Sequence, residues 1–296
     1  MSGSRIAILG CGAVGSALAA ELACEGTEIV LWSRTRARAE AVAARLSRQD
    51  RAGLVVTEAV EAIEGAQLVL LCVTDAVLVT FAEEQANRAP RSTPGERAVV
   101  HTNGFHALEV LAPWRAVGWE AGKLHPLTSL PPDGGGRLRG AWFATASTEG
   151  GRPWIQRLLR ALDGRELQLD DEEATSQTIH AAAALLSGGV VALFEVAASV
   201  ARDAARDPDA AERAFLALLA STAGNLWTRG SRDALTGPAA RGAAPIVQAH
   251  LKTLAAKDPD AAELYRRLGA RMIALAAARG SIDERAHAEL ERIFRK

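Results

Sequence analysis

Cysteine is scarce in this chain, with 3 among 296 residues. Cys11, Cys24 and Cys72 show no C-x-x-C spacing, which argues against a disulfide framework or a cysteine metal site and fits a reducing, cytoplasmic setting. All three read as small core residues. Surplus charge is missing too: a net charge of −1 offers polyphosphate no attraction, and no basic patch is interleaved with aromatic residues. Nucleic acid is therefore not expected as a partner. The first apolar run begins at Arg5, which leaves no room for a signal peptide, so export is not expected. One long uncharged run exists, 181–194, and with 196–201 it approaches the length of a membrane span. It is rich in alanine and glycine and has Glu195 inside it. A helix buried all round by protein is the reading, with no membrane.

What the chain does have is apolar content, 49% of residues, enough at this length for two domains with cores of their own. Residues 5–24 read RIAILGCGAVGSALAAELAC: an apolar strand, a Gly10-x-Gly12-x-x-Gly15 turn and an alanine-rich helix. This is the pattern of a dinucleotide phosphate cradle. Gly10 permits the tight turn, Gly12 lets backbone meet pyrophosphate with no Cβ in the way, and Gly15 lets the helix pack close to the strand. Cys11, Ala13 and Val14 complete the loop, and unpaired N–H groups at the helix start face the phosphates.

About 20 residues beyond the glycines, an NAD site carries an acid that holds the ribose diol. None stands here. The strand 28–32 runs instead into Ser33-Arg34-Thr35-Arg36-Ala37-Arg38, hydroxyls and guanidinium groups suited to a 2′-phosphate. The expected cofactor is thus NADP(H), held there by Ser33, Arg34 and Thr35. Arg36 and Arg38 are equally well explained as a solvated helix face.

Apolar runs at 29–32, 54–57, 68–73 and 98–102 alternate with helical patterns at 37–46 and 77–86, which predicts a parallel sheet. Strands follow at 122–127 and 141–146, a helix at 154–162, and a last edge strand at 166–169. From 172 onward helix succeeds helix, with breaks at Asp207-Pro208, 230–238, Asp258-Pro259 and Gly280. The predicted fold is α/β, a Rossmann-type mainly parallel sheet domain over 1–170 followed by an all-helical domain over 171–296. The stretch 133–136 reads as a flexible loop.

Two further strands end in polar groups at the sheet edge where ligands bind in open α/β folds. Val73 and Thr74 are placed beside the cofactor, or Thr74-Asp75 simply caps the next helix. His101-Thr-Asn103-Gly104 is expected near the nicotinamide, or forms a plain turn. His125, held extended before Pro126, is either structural or a proton donor. His180 opens the long apolar helix with Ser187 seven residues on and on the same face, so it is a second candidate donor, or a core histidine. Arg241, in Thr236-Gly-Pro-Ala-Ala-Arg-Gly242, offers a fork for a substrate carboxylate, unless that loop is only a rigid turn. His250 is assigned to the substrate or to the core. No metal site is expected.

Together the glycine loop, Ser33-Arg34-Thr35, His101-x-Asn103-Gly104-Phe105, Leu124-His125-Pro126-Leu127, the helix from His180 and the Thr236–Gly242 loop leading to His250-Leu251 resemble a group of Rossmann-like proteins. That group couples an NADP-binding domain to a helical C-terminal domain of unknown function. It is related to pyrroline-5-carboxylate reductases, deazaflavin-dependent NADP reductases and β-hydroxyacid dehydrogenases. The resemblance implies an NADP(H)-dependent oxidoreductase acting on a small C=O or C=N substrate in an interdomain cleft, and a homodimer formed through the helical domain. Three departures stand out. Gly188 and Ala243 replace a usual asparagine and aspartate, which leaves a non-catalytic NADP(H) sensor or scaffold as the alternative. Between Lys123 and Lys252 there is no lysine, which excludes the dehydrogenases' helix lysine; His180 stands near its place.

Overall fold

The computed structural model describes residues 4–23, 27–48, 53–56, 58–131 and 136–295. Cys24, Thr57 and most of the 133–136 loop lie outside the described residues. By its internal contacts the chain divides into a unit over 1–185 and a unit over 186–296.

The first unit alternates as the sequence predicts. It runs β1 (Arg5–Leu9), α1 (Ala13–Leu22), β2 (Glu28–Trp32), α2 (Arg36–Ser47), β3 (Gly53–Val55), α3 (Ala59–Ile63), β4 (Leu68–Leu71), α4 (Asp75–Ala86) and β5 (Ala98–His101). A 3-10 turn at Leu108–Leu111 leads to α5 (Ala112–Ala116), β6 (Glu120–Pro126), β7 (Trp142–Ser147), α6 (Arg152–Ala161) and β8 (Arg165–Gln168). The strands form one 8-stranded sheet in the order β3-β2-β1-β4-β5-β6-β7-β8. Only the β6–β7 pairing is antiparallel among the described strands. The expected mainly parallel sheet and the edge position of the last strand are both present.

Both faces of the sheet are covered, which is why its central strands are continuously apolar. Alternate residues sort to opposite sides: Ile6, Ile8, Leu70 and Val100 pack with α1 and α6, while Ala7, Leu9, Val69 and Val99 pack with Leu78 and Trp114. Full burial of each valine, leucine or isoleucine among them contributes about 1.5–3 kcal/mol. The indole N–H of Trp114 donates to the Ala82 carbonyl at 2.8 Å, so the largest core ring leaves no polar atom unpaired.

After β8 the chain is helical: α7 (Glu173–Ala204), α8 (Pro208–Ala234), a 3-10 turn at Ala239–Arg241, α9 (Ala244–Lys257), α10 (Pro259–Ala278) and α11 (Glu284–Arg295). The Asp-Pro pairs start helices as expected. The carboxylate of Asp207 accepts from Ala210 N–H and that of Asp258 from Asp260 and Ala261 N–H, with proline in the first turn where it loses no hydrogen bond. At Gly230 α8 kinks through a non-helical conformation, φ 73 and ψ 170.

One expectation is overturned. The helix over 181–194 is not buried all round within the chain: only 6% of the most apolar window of α7 is buried, and Leu185, Leu186 and Val191 are 78%, 70% and 68% exposed. The cause is that apolar composition signals a need for cover without saying which molecule supplies it. Among the described residues α7 is the one helix long and apolar enough to cross a membrane by length and composition. It also begins at Glu173, so His180 lies two turns inside it rather than at its start.

Candidate functional site

The glycine turn is built on backbone that admits no other residue at two positions. Gly10 has φ +110, and a Cβ on it would lie 2.5 Å from the Cys72 carbonyl oxygen. On Gly15 a Cβ would lie 1.9 Å from the Gly10 oxygen, so only glycine lets α1 close onto the turn. Gly12 differs. It is the N-cap of α1, and a Cβ there meets no atom within 4 Å; the space over it is open rather than filled by protein. Ala13 and Val14 begin α1 and carry its first peptide groups toward that space.

A cavity of about 450 Å³ joins this turn to the ends of β2 and β4. Its lining brings together Gly10, Cys11 and Gly12, Ser33, Arg34 and Thr35, and Val73 and Thr74, as the sequence proposed from three separate segments. Arg38, which the sequence left open, lines it as well. Trp32 and Phe81 stack with centroids 5.2 Å apart and planes 16° apart, an aromatic wall that sequence reading missed because the two residues sit on distant elements. No carboxylate stands at the end of β2, while Glu84 of α4 is among the residues that line the cavity. Thr74 is the N-cap of α4 but makes no side-chain cap bond. The Cys11 and Cys72 thiols are pushed up to about 11 and about 12, chiefly by burial, so neither is a thiolate nucleophile at neutral pH.

A second cluster forms where β5 and β6 end beside the first turns of α7. His125 and His180 face each other with ring centroids 5.8 Å apart. Gly104 is wedged between them: a Cβ on it would come within 2.5 Å of His180 Nδ1 and 2.7 Å of His125 Nε2. His125 Nδ1 meets the Thr102 carbonyl oxygen at 3.0 Å, which makes Nδ1 the protonated nitrogen of the neutral ring and leaves Nε2 with its lone pair toward Gly104. His180 Nδ1 is buried with no hydrogen-bond partner among the described residues. Burial, with the Lys123 charge and His180 adding to it, holds the His125 pKa below its ordinary value; the Thr102 bond and Asp75 oppose this.

Asn103 and Gly104 do not line the glycine-turn cavity. The Asn103 amide bonds to Asp75, and its oxygen accepts from Phe105 N–H at 2.8 Å and His106 N–H at 2.9 Å, so it shapes the turn that carries Gly104. His101, the first residue of that motif, faces the interior. It is fully buried and neither ring nitrogen completes a hydrogen bond, although backbone at Ala107 is near enough to offset part of the cost of charging it. Its pKa is pushed down to about 3, first by burial and then by the Lys123 charge. In an unfolded chain the same ring titrates near 6.5. Its contribution to stability is therefore complete above about pH 6.5 and is lost as pH falls from there toward 3, a loss on the order of a few kcal/mol. We expect thermal melts at pH 7 and pH 4 to show a smaller drop for His101→Leu than for the parent chain. Equal drops would mean that other groups carry the acid sensitivity.

The remaining predicted residues belong to the second unit. Ser187 lies on α7, and Arg241 is exposed at the end of its 3-10 turn. Ala243 is the N-cap of α9 and provides no side-chain cap, as its departure from the usual aspartate implies. His250 is exposed rather than in the core, and its Nδ1 meets Tyr265 Oη at 3.3 Å. Both rings border an apolar cavity of about 700 Å³ within this unit. Among the described residues no group of three metal-ligating side chains occurs.

Comparison with known proteins finds two family models along the chain. Residues 5–93 match the family model NADP oxidoreductase coenzyme F420-dependent, and residues 141–272 match a domain of unknown function, DUF2520. A glycerol-3-phosphate dehydrogenase (NAD(P)+) of Thermus thermophilus is 40% identical over 82 residues, 25% of this chain, and the match spans 26% of that relative's length. Among solved structures, a Thermotoga maritima protein is similar at TM-score 0.68 and 18% identity, covering 92% of this chain and 98% of that one. A reductive aminase from Aspergillus terreus, in complex with NADPH and ethyl levulinate, is similar at TM-score 0.63 and 19% identity over 98% and 99% of the two chains. An imine reductase from Pseudomonas sp. gives 0.62 and 19% over the same shares. At these identities the structures share the fold. The chain thus resembles an NADP oxidoreductase, coenzyme F420-dependent, over residues 5–93 and the domain of unknown function DUF2520 over residues 141–272.

Proposed function

We propose that this protein is an NADP(H)-dependent oxidoreductase that reduces a small C=O or C=N substrate. One observation carries the reading. The backbone cradle at Gly10–Gly12 and the Ser33-Arg34-Thr35 segment open on one cavity, and no acid at the end of β2 competes for a ribose diol. Gly10, Gly12 and the N–H groups that open α1 hold the pyrophosphate, and Ser33, Arg34 and Thr35 hold the 2′-phosphate. When bound, the nicotinamide supplies the hydride.

The protein's own part is to place a proton beside that chemistry. His180 and His125 are the donors we assign, with Gly104 keeping the two rings in register. Because the His125 pKa is held down, that ring is neutral at pH 7 with its proton on Nδ1 and accepts at Nε2, so the proton given to the substrate is assigned to His180. Arg241, Ser187 and His250 remain our candidates for substrate contacts. The likeness to an imine reductase and to a reductive aminase in complex with NADPH supports a C=N substrate class.

The test is NADPH consumption by the purified protein across a panel of cyclic imines, ketone and amine pairs, and keto acids. Turnover of at least one C=N or C=O member is expected. Tight NADPH binding with no turnover of any member would replace this reading by a cofactor sensor, to which Gly188 and Ala243 would then point.

We also propose that the helical unit pairs with a second copy of the chain. Leu186, Val191, Leu226 and Trp227 are exposed, Trp227 to 80%, and a second copy packed on them would take these large apolar side chains out of water. Sedimentation at micromolar concentration is expected to give a dimer. A monomer throughout would overturn the pairing.

A further inference from the structure

Lys123 is fully buried, on β6 in register beside His101 of β5 and between the buried Gly122 and Leu124. An ammonium taken out of water costs several kcal/mol unless acceptors surround it. Here Nζ donates to the Gly104 carbonyl at 3.0 Å, the His106 carbonyl at 2.9 Å and the Ser176 hydroxyl of α7 at 2.7 Å, which uses all three of its hydrogens. The same short turn is fixed from its other side. Ala107 N–H donates to the Glu173 carboxylate at 2.8 Å and Leu108 N–H to Asp171 at 2.9 Å, while Asn103 takes the N–H groups of Phe105 and His106. The turn carrying Gly104 thus has its carbonyls on one cation and its amides on three side chains. Those side chains come from the turn itself and from the segment that opens α7, the helix that bears His180.

We propose that Lys123 is a positioning residue for the histidine pair: its ammonium fastens the turn 104–106 to α7, so that Gly104 stays wedged between His125 on one side and His180 on the other. This rests on the oxidoreductase reading for its catalytic meaning but not for its geometry. A methionine would fill the same space with less cost of burial, so packing alone gives no reason for a charge here. What the charge adds is a three-way joint between β6, the turn and α7. It also adds a field: the groups facing Lys123 are Glu173 and Asp171 from the α7 side, His101 from β5 and His106 from the turn. Those facing His125 are Lys123, His180 and Asp75. The Lys123 pKa is lowered to about 8 by burial, against the pull of Glu173 and Asp171, so the ammonium persists at neutral pH.

The experiment follows the imidazoles directly. The histidine ring resonances of the parent chain, Lys123→Met and Ser176→Ala are titrated by NMR, with NADPH affinity and, where a substrate is known, kcat and KM measured alongside. Loss of the ammonium is expected to move the His125 titration to higher pH, to perturb the His180 resonances, and to lower kcat about tenfold with NADPH affinity within about twofold. Ser176→Ala keeps the charge and removes one acceptor, so it is expected to perturb the His180 resonances while the His125 titration stays near that of the parent. It also decides the matter if Lys123→Met does not fold. Unchanged His125 and His180 signals in a folded Lys123→Met, or unchanged His180 signals in Ser176→Ala when that variant alone folds, would overturn the proposal and leave Lys123 a purely structural cation. Loss of NADPH binding by the parent chain would instead count against the function proposed above, so the two failures are distinguishable.

Discussion

Arg34→Ala lowers NADPH affinity by about 10- to 100-fold and leaves NADH affinity within about threefold, as read by calorimetry with each cofactor. Arg34 sits just past β2 on the wall of the glycine-turn cavity, exposed and with its fork available to a phosphate. A charge-assisted bond of that kind contributes about 1.5–3 kcal/mol, and each 1.4 kcal/mol is a factor of about ten in affinity. NADH lacks the 2′-phosphate and so has nothing to lose at this position. Equal losses for the two cofactors would show that Arg34 contacts the adenine or merely supports the loop, and the 2′-phosphate assignment would fall. Arg38 lines the same cavity, and its presence sets the upper end of the effect, because a second guanidinium retains part of the attraction.

The second large effect is expected at Gly104. Replacement by alanine puts a methyl group 2.5 Å from His180 Nδ1 and 2.7 Å from His125 Nε2, well inside contact distance on both sides. His125 is tied to Thr102 and the turn itself to Lys123, Asp171 and Glu173, so the strain falls on the position of His180. The pair must therefore separate, and a displacement of about 1 Å in a reacting constellation costs on the order of 100-fold in turnover. The glycine-turn cavity contains none of these residues, so NADPH affinity is expected to stay within about threefold. A Gly104→Ala protein that keeps full turnover would remove the histidine pair from the mechanism. One that loses turnover and NADPH binding alike would show that the damage reaches the whole sheet edge.

Much of the first unit was legible because its physics is local and periodic. An apolar run flanked by turn residues fixes β2 to the residue, and β8 was placed at the edge because its run is short and half polar. The cofactor residues could be gathered from three segments because open α/β sheets put the ends of their central strands together. Less was legible where a partner distant in sequence decides the outcome. The five residues of α3 are too few to show a helical period. The antiparallel run of β7 depends on which neighbour accepts its hydrogen bonds, and an apolar strand reads the same in either direction. The role of Lys123 has no sequence mark, since its acceptors at 104, 106 and 176 have no spacing that identifies them as a set.

By itself, the sequence determined the cradle, the strand and helix order, the change from α/β to all-helical, and the missing acid that turns the choice of cofactor toward a 2′-phosphate. These are matters of residue type at short range, where a glycine's missing Cβ or an arginine's fork acts on its neighbours. Tertiary structure alone decided that His125 and His180 meet across Gly104, that His101 points inward instead of toward a ligand, and that α7 is left uncovered by its own chain. Each depends on which surfaces pack together. Packing is settled by the sum of many distant contacts, and no window of sequence contains that sum.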